Sequence, residues 1–406
     1  VGYDLLLFVF IVVDYRVSRM PEDVSVKREI ENRFHLGAET EVRVRVTNNT
    51  QRDWTLVLKD EHPPEMRLTS SRESRLPVEA QTIAELRYGL IPPTRGRFTF
   101  GAIALRYLSR FGLLWRERRV EGNETVKVYP NIRRAREAEL KALGARSLVA
   151  AHRRASWRGE GRDFESLRDY VPGDELRHVS WAVTARRGRL TTRQYQIERD
   201  QTVLVALDAG RLMTTRVEGE TKFDAAIHAA LALMSAAARG GDQLGLLTFG
   251  RRIGAYVPPG RGREHTDRVL EALYAQEPEL IEPSYTRAFE FISSTCNRRA
   301  LIVVLTELVD EEGSSELLKS LKILRPRHLP LIVTIADRDL KAAVEHAPQN
   351  RNELFTQSVA EEIIHQRETA LRRVEKEGGL ALDVTTSALV PSLLETYIRV
   401  KEQGRL

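Results

Sequence analysis

Val203-Leu204-Val205-Ala206-Leu207-Asp208 is a continuous apolar run closed by a carboxylate. A run this short and this rich in branched side chains reads as a strand buried on both faces. Residues 222–239 follow, an Ala- and Leu-rich stretch that ends at Gly240-Gly241 and reads as a helix. Residues 244–249, 300–305 and 329–335 repeat the buried-strand pattern. Residues 267–276 and 286–296 have the spacing of amphipathic helices. A long helix over 353–377, stopped by Gly378-Gly379, a strand over 380–384 and a helix over 390–403 close the chain. This alternation predicts an α/β domain over 201–406 with a doubly wound, mostly parallel sheet. Ligands of such sheets bind outside the carboxyl ends of the strands, which makes Asp208 the first candidate site residue.

Upstream the period changes. Over 21–130 apolar and polar residues alternate, as in Glu41-Val42-Arg43-Val44-Arg45-Val46-Thr47, and turns fall at pairs such as Asn48-Asn49. Further short strands are expected over 54–58, 82–88, 97–100, 102–105 and 125–129, so this region reads as a β-sandwich-like domain. Residues 131–200 form a basic linker: 16 of the chain's 63 Lys and Arg stand there against 10 acidic residues, and the remainder of the chain is balanced. Residues 1–20 hold a nine-residue apolar run, Leu5 to Val13, followed by Arg16 and Arg19. It reads either as a buried strand or as the end of a membrane helix. The basic flank favours the second, a membrane-anchor segment cut short by the start of the sequence, at a cell membrane with the soluble domains on the cytoplasmic side.

Composition narrows the chemistry. With 406 residues, 42% hydrophobic and 30% charged, the chain is neither disordered nor low-complexity. Its single cysteine, Cys296, excludes a disulfide framework and any Cys-rich metal site. No phosphate-binding P-loop, dinucleotide fingerprint, zinc-protease helix motif or nucleophile elbow occurs. Oxygen-bearing residues at the expected strand ends remain: Asp208, then Ser284 and Thr286, then Thr306 and Glu307. A hard cation such as Mg²⁺ is bound by oxygens of this kind.

An α/β domain with these three loops is similar to the von Willebrand factor A fold and its metal-ion-dependent adhesion site. That site uses Asp-x-Ser-x-Ser, a Thr and an Asp. Here the first loop reads Asp208-Ala209-Gly210-Arg211-Leu212, so Gly210 and Leu212 stand where hydroxyls are expected. Thr286 matches the second element and Glu307 replaces the third. The resemblance implies a degenerate, vestigial site at which no metal is expected; the alternative is Mg²⁺ held by the ligands that remain, Asp208, Thr286 and Glu307.

The linker carries a sharper resemblance. Phe164, Leu167, Arg168, Tyr170, Pro172, Gly173, Asp174, Arg177 and Trp181 form the pattern Phe-x-x-Leu-Arg-x-Tyr-x-Pro-Gly-Asp-x-x-Arg-x-x-x-Trp. It resembles the hallmark of domain-of-unknown-function family 58, in which it precedes a von Willebrand A-like domain, and the resemblance extends over nearly the whole chain. It implies a membrane-anchored, non-enzymatic adaptor whose α/β domain binds a protein, with a MoxR-type AAA+ ATPase as the expected partner. Arg168, Arg177 and Arg186 are expected to pair with Asp163, Asp169, Asp174 or an acidic partner. A metal-dependent enzyme, or a protein that binds anionic lipid or nucleic acid through the linker, are the alternatives. Ten acids among the linker's residues argue against a phosphate track, so nucleic acid is not expected.

Overall fold

The computed structural model describes residues 2–131, 137, 140, 163–171, 179–196, 200–308 and 314–405. It comprises two compact units, Val1–Asn131 and Ile132–Leu406.

In the first unit the period-two pattern folds as expected. Strand β1 (Val24–Glu29) pairs with β3 (Thr40–Asn48), and β3 with β7 (Ile83–Ile91), all antiparallel. A second antiparallel sheet joins β4 (Trp54–Asp60), β6 (Glu73–Val78), β9 (Ile103–Leu108) and β10 (Trp115–Val120). Alternate residues of both sheets, among them Val42, Val44, Val46, Leu56, Leu58, Tyr88 and Leu105, meet in one core. Arg28 lies inside this core. Its guanidinium pairs with Asp60 and Glu124 and donates to the Gly101 carbonyl at 2.8 Å, and Tyr88 Oη donates to Asp60 at 2.6 Å.

The apolar run at 5–13 is helical, not a strand. It belongs to helix α1 (Gly2–Val17), whose 16 residues reach about 24 Å at 1.5 Å per residue, short of a hydrocarbon core of about 30 Å. No helix among the described residues is long and apolar enough to cross a membrane, which overturns the expected anchor and the cell-membrane placement built on it. Near the end of α1, Asp14 is fully buried and accepts from Ser18 Oγ at 2.9 Å, Ser109 Oγ at 2.5 Å and the Phe111 amide at 3.1 Å.

The second unit holds a mixed α/β fold. A six-stranded sheet runs β18-β17-β14-β19-β20-β21, where β14 is Thr202–Asp208, β17 Gln243–Phe249, β18 Ile253–Gly260, β19 Ala300–Thr306, β20 Leu329–Ala336 and β21 Leu380–Thr385. Every pair is parallel except β17 with β18. Strands β14, β19 and β20 are buried along their whole length, so both faces are covered. Even-numbered residues of β14 face helices Tyr285–Thr295, Ser315–Leu324 and Arg351–Lys376 in one core. Helices Lys222–Arg239 and Thr386–Glu402 pack on each other and on the sheet. Thr221 caps the former by accepting from the Asp224 amide, and Asn350 caps the 351–376 helix by accepting from the Glu353 amide.

Strand β18, which contains Pro258-Pro259, and the helices Ser315–Leu324 and Arg338–Glu345 are among the elements of this unit that carry no sequence expectation. From β14 the chain passes to β17 on one side and then to β19 on the other, so the switch point lies at the carboxyl ends of β14 and β19.

Arg28→Met is expected to leave Asp60 buried with only Tyr88 as a donor, costing about 3–5 kcal/mol. Denaturant unfolding of the variant against the parent measures this loss. An effect under about 1 kcal/mol would mean the cluster is surface-like in energy.

Candidate functional site

Asp208 stands at the switch point, 2% exposed. A charge left there without partners would cost several kcal/mol, so the loops around it supply donors. The Gly210 amide donates to Oδ1 at 2.7 Å. Thr306 Oγ1 and Tyr285 Oη donate to Oδ2 at 2.5 and 3.2 Å, and the two hydroxyls lie 2.8 Å apart. Tyr285 and Thr306 therefore close over Asp208. Burial still dominates and pushes the Asp208 carboxyl up to about 6, against the pull of Thr306, the Gly210 amide and Tyr285.

The other metal-ligand candidates point elsewhere. Thr286 Oγ1 lies 2.8 Å from Ser320 Oγ, and its amide donates to Glu316 at 3.1 Å, the same oxygen that Ser284 Oγ bonds. Glu307 is 4% exposed and forms ion pairs with Lys222 and Arg367. Burial favours its neutral form, whereas Arg367 and then Lys222 favour the ionised one. Leu212 is half-buried in the short turn Arg211–Thr214. Arg211 pairs with exposed Glu282. A Cβ at Gly210 would lie 2.7 Å from Pro283 Cδ and 3.1 Å from the Ile281 carbonyl, so a serine has no room there.

A hard divalent cation requires about six oxygens, several of them from the protein. Here both oxygens of Asp208 and both of Glu307 are bonded by protein donors, and Thr286 bonds Ser320 instead. These residues do not fit such an ion. Among the described residues, no group of three or more His, Cys, Asp or Glu is placed to hold a metal.

Beside Asp208 a cleft of about 390 Å³ opens at the same edge of the sheet, its walls including Thr248, Gly250, Arg252, Gln276, Glu279 and Ile281. Arg251 and Arg252 are exposed at it, and Leu280, next to its wall, is 82% exposed.

Part of the linker pattern is also described. Strand β12 (Asp163–Asp169) pairs antiparallel with β13 (Thr191–Gln196), which places Phe164, Leu167 and Arg168 on one hairpin. The Tyr170 amide donates to the Leu190 carbonyl at 2.8 Å. Trp181 opens the helix Trp181–Arg187 and is 63% exposed. Arg168 Nη1 donates to the Asp169 carbonyl at 3.0 Å, and the Asp169 carboxylate lies 3.9 Å from exposed Arg189. Pro172, Gly173, Asp174 and Arg177 lie outside the described residues.

Residues 166–347 match a family model described as protein of unknown function DUF58. The family resemblance thus rests on that stretch, shorter than the near-whole chain expected. The uncharacterized protein Rv1480 of Mycobacterium tuberculosis is 27% identical over 186 residues, 45% of this chain and 58% of that protein. The uncharacterized protein YeaD of Bacillus subtilis is 22% identical over 233 residues, 56% of this chain and 54% of that protein. The chain therefore spans a little over half the length of either relative. Among solved structures, native alpha-2-macroglobulin from Escherichia coli is matched with a TM-score of 0.24 and 14% identity, over 28% of this chain and 17% of that one.

Because the folded Asp208 holds its proton more tightly than the unfolded chain, its contribution to stability is full below pH 4 and is lost as pH rises through about 6. At about 1.4 kcal/mol per tenfold in proton affinity, the loss is about 3 kcal/mol. His328, pushed down to about 4 by burial and Arg327, works the other way in the same window. The difference between wild type and Asp208→Asn isolates the carboxyl: it should change by about 2 kcal/mol between pH 4 and pH 6.5 in urea unfolding, and a flat difference would refute the assignment. Separately, Gly210→Ser should cost about 1–3 kcal/mol through overpacking, read from the same curves.

Proposed function

We propose that this chain is a non-enzymatic, partner-binding protein whose region 201–406 is von Willebrand factor A-like and engages another protein with the carboxyl edge of its sheet. One observation carries the reading. Asp208 and Glu307, the two acidic candidates for the adhesion-type site, are spent on internal donors, while an open cleft lies beside Asp208. A hydrolytic site needs a carboxylate or hydroxyl free to move a proton within reach of substrate. Asp208, Tyr285 and Thr306 bond one another out of solvent instead. Protein recognition asks for something else: an exposed, shaped edge with a few anchors. Leu280, Arg251 and Arg252 offer that chemistry.

The family resemblance names a MoxR-type AAA+ ATPase as the partner. Region 21–130, read as sandwich-like, is then a scaffold, since such folds host many roles and imply none. Trp181, an exposed aromatic beside arginines, is a second candidate anchor.

Calorimetry of the purified chain with a MoxR-type ATPase from the same organism tests this. Saturable binding is expected. Leu280→Asp and Arg252→Glu should each weaken it by about tenfold or more, equivalent to about 1.4 kcal/mol, while the melting temperature stays put. No saturable heat, or undiminished binding by both variants, would sink the reading.

A further inference from the structure

Thr306 and Glu307 are neighbours in sequence, but they belong to two different bonded groups. Thr306 turns to Asp208, and Glu307 turns to Lys222 and Arg367. Lys222, the first residue of its helix, also donates to the Ile335 carbonyl at 2.9 Å. Arg367 continues to Asp383, donating from Nε at 3.0 Å and Nη2 at 2.7 Å, and Thr334 Oγ1 donates to the same carboxylate oxygen at 2.9 Å. Lys222, Glu307 and Arg367 are each at most 6% exposed. Two cations and two carboxylates thus form a charge-balanced cluster, buried except for the partly exposed Asp383, drawn from two helices, β20, β21 and the residue that follows β19.

We propose that this edge of the sheet is metal-independent by construction, with the Lys222 ammonium and the Arg367 guanidinium supplying Glu307 with the positive charge that a divalent ion supplies to acidic ligands in an adhesion site. The residue types decide it. An ammonium and a guanidinium compensate a buried carboxylate with fixed charge and directed N–H bonds, and here one cationic donor sits on each Glu307 oxygen, so a metal ion would have to displace or repel them. Lys222 and Glu307 lie inside the stretch that matches the family, whereas Arg367 and Asp383 lie beyond it. The inference concerns the fold's own charge balance and does not rest on which protein, if any, docks at the cleft.

Thermal unfolding of the full chain tests it without a partner. Wild type in chelator, then in millimolar Mg²⁺, Mn²⁺ or Ca²⁺ alone, should melt within about 1 °C of the same temperature, because an ion that binds only the folded state raises the midpoint. Glu307→Gln leaves two cations facing Asp383 alone and should lower the midpoint by roughly 10 °C. The double variant Lys222→Met with Glu307→Gln leaves the balanced pair Arg367–Asp383 and should regain at least half of that loss. If Glu307→Gln fails to fold, recovery of folded double variant is the same rescue in another form. A midpoint raised several degrees by any of the three ions, or a double variant no more stable than Glu307→Gln, would overturn the proposal and leave the docking reading untouched.

Discussion

Desolvation of one carboxylate organises the second unit. Strand β14 is buried along its whole length, so the residue that ends it is carried out of water with it. Asp208 must then be satisfied by the protein, and the nearest donors are those the topology delivers: the next loop's backbone, the start of the helix beginning at Tyr285, and the end of β19. Once Thr306 is turned inward to Asp208, its neighbour Glu307 points to a different set of groups and needs its own compensation. Lys222 and Arg367 meet that need, and through Arg367 the long helix and β21 are tied to the same edge.

The first unit solves a similar problem with similar means. Arg28 is enclosed by Asp60, Glu124, the Gly101 carbonyl and the face of Phe100, with its Cζ 4.8 Å from the ring centroid. Buried ion pairs of this type add less to stability than their number of contacts suggests, because both charges are first stripped of water. They do fix which strands and helices meet, since any other register strands a charge.

Much of the parallel sheet was legible because continuous apolar runs of strand length have one common explanation, burial on both faces. Asp208 was legible for the same reason: a carboxylate directly after such a run marks a strand end. Its partners were not. Tyr285 falls just ahead of the helix expected over 286–296, and nothing local announces that its hydroxyl reaches a residue 77 positions away. Lys222 reads as an ordinary helix start, and its bond to Glu307 spans 85 positions. The adhesion-site pattern singles out Thr286, whereas the aromatic one residue earlier is the one that reaches Asp208. The run at 5–13 is ambiguous for another reason: its composition suits a strand as well as a helix, and a helix forms over Gly2–Val17.

Strand β18, the antiparallel border of the sheet, ends in Pro258-Pro259-Gly260. Two consecutive imino acids interrupt the row of amide donors that a foreign strand would have to find. Growth of the β-structure from one molecule into the next is therefore blocked along that half of its margin, which gives the protein a built-in guard against fibril-like stacking where its ladder would otherwise be open.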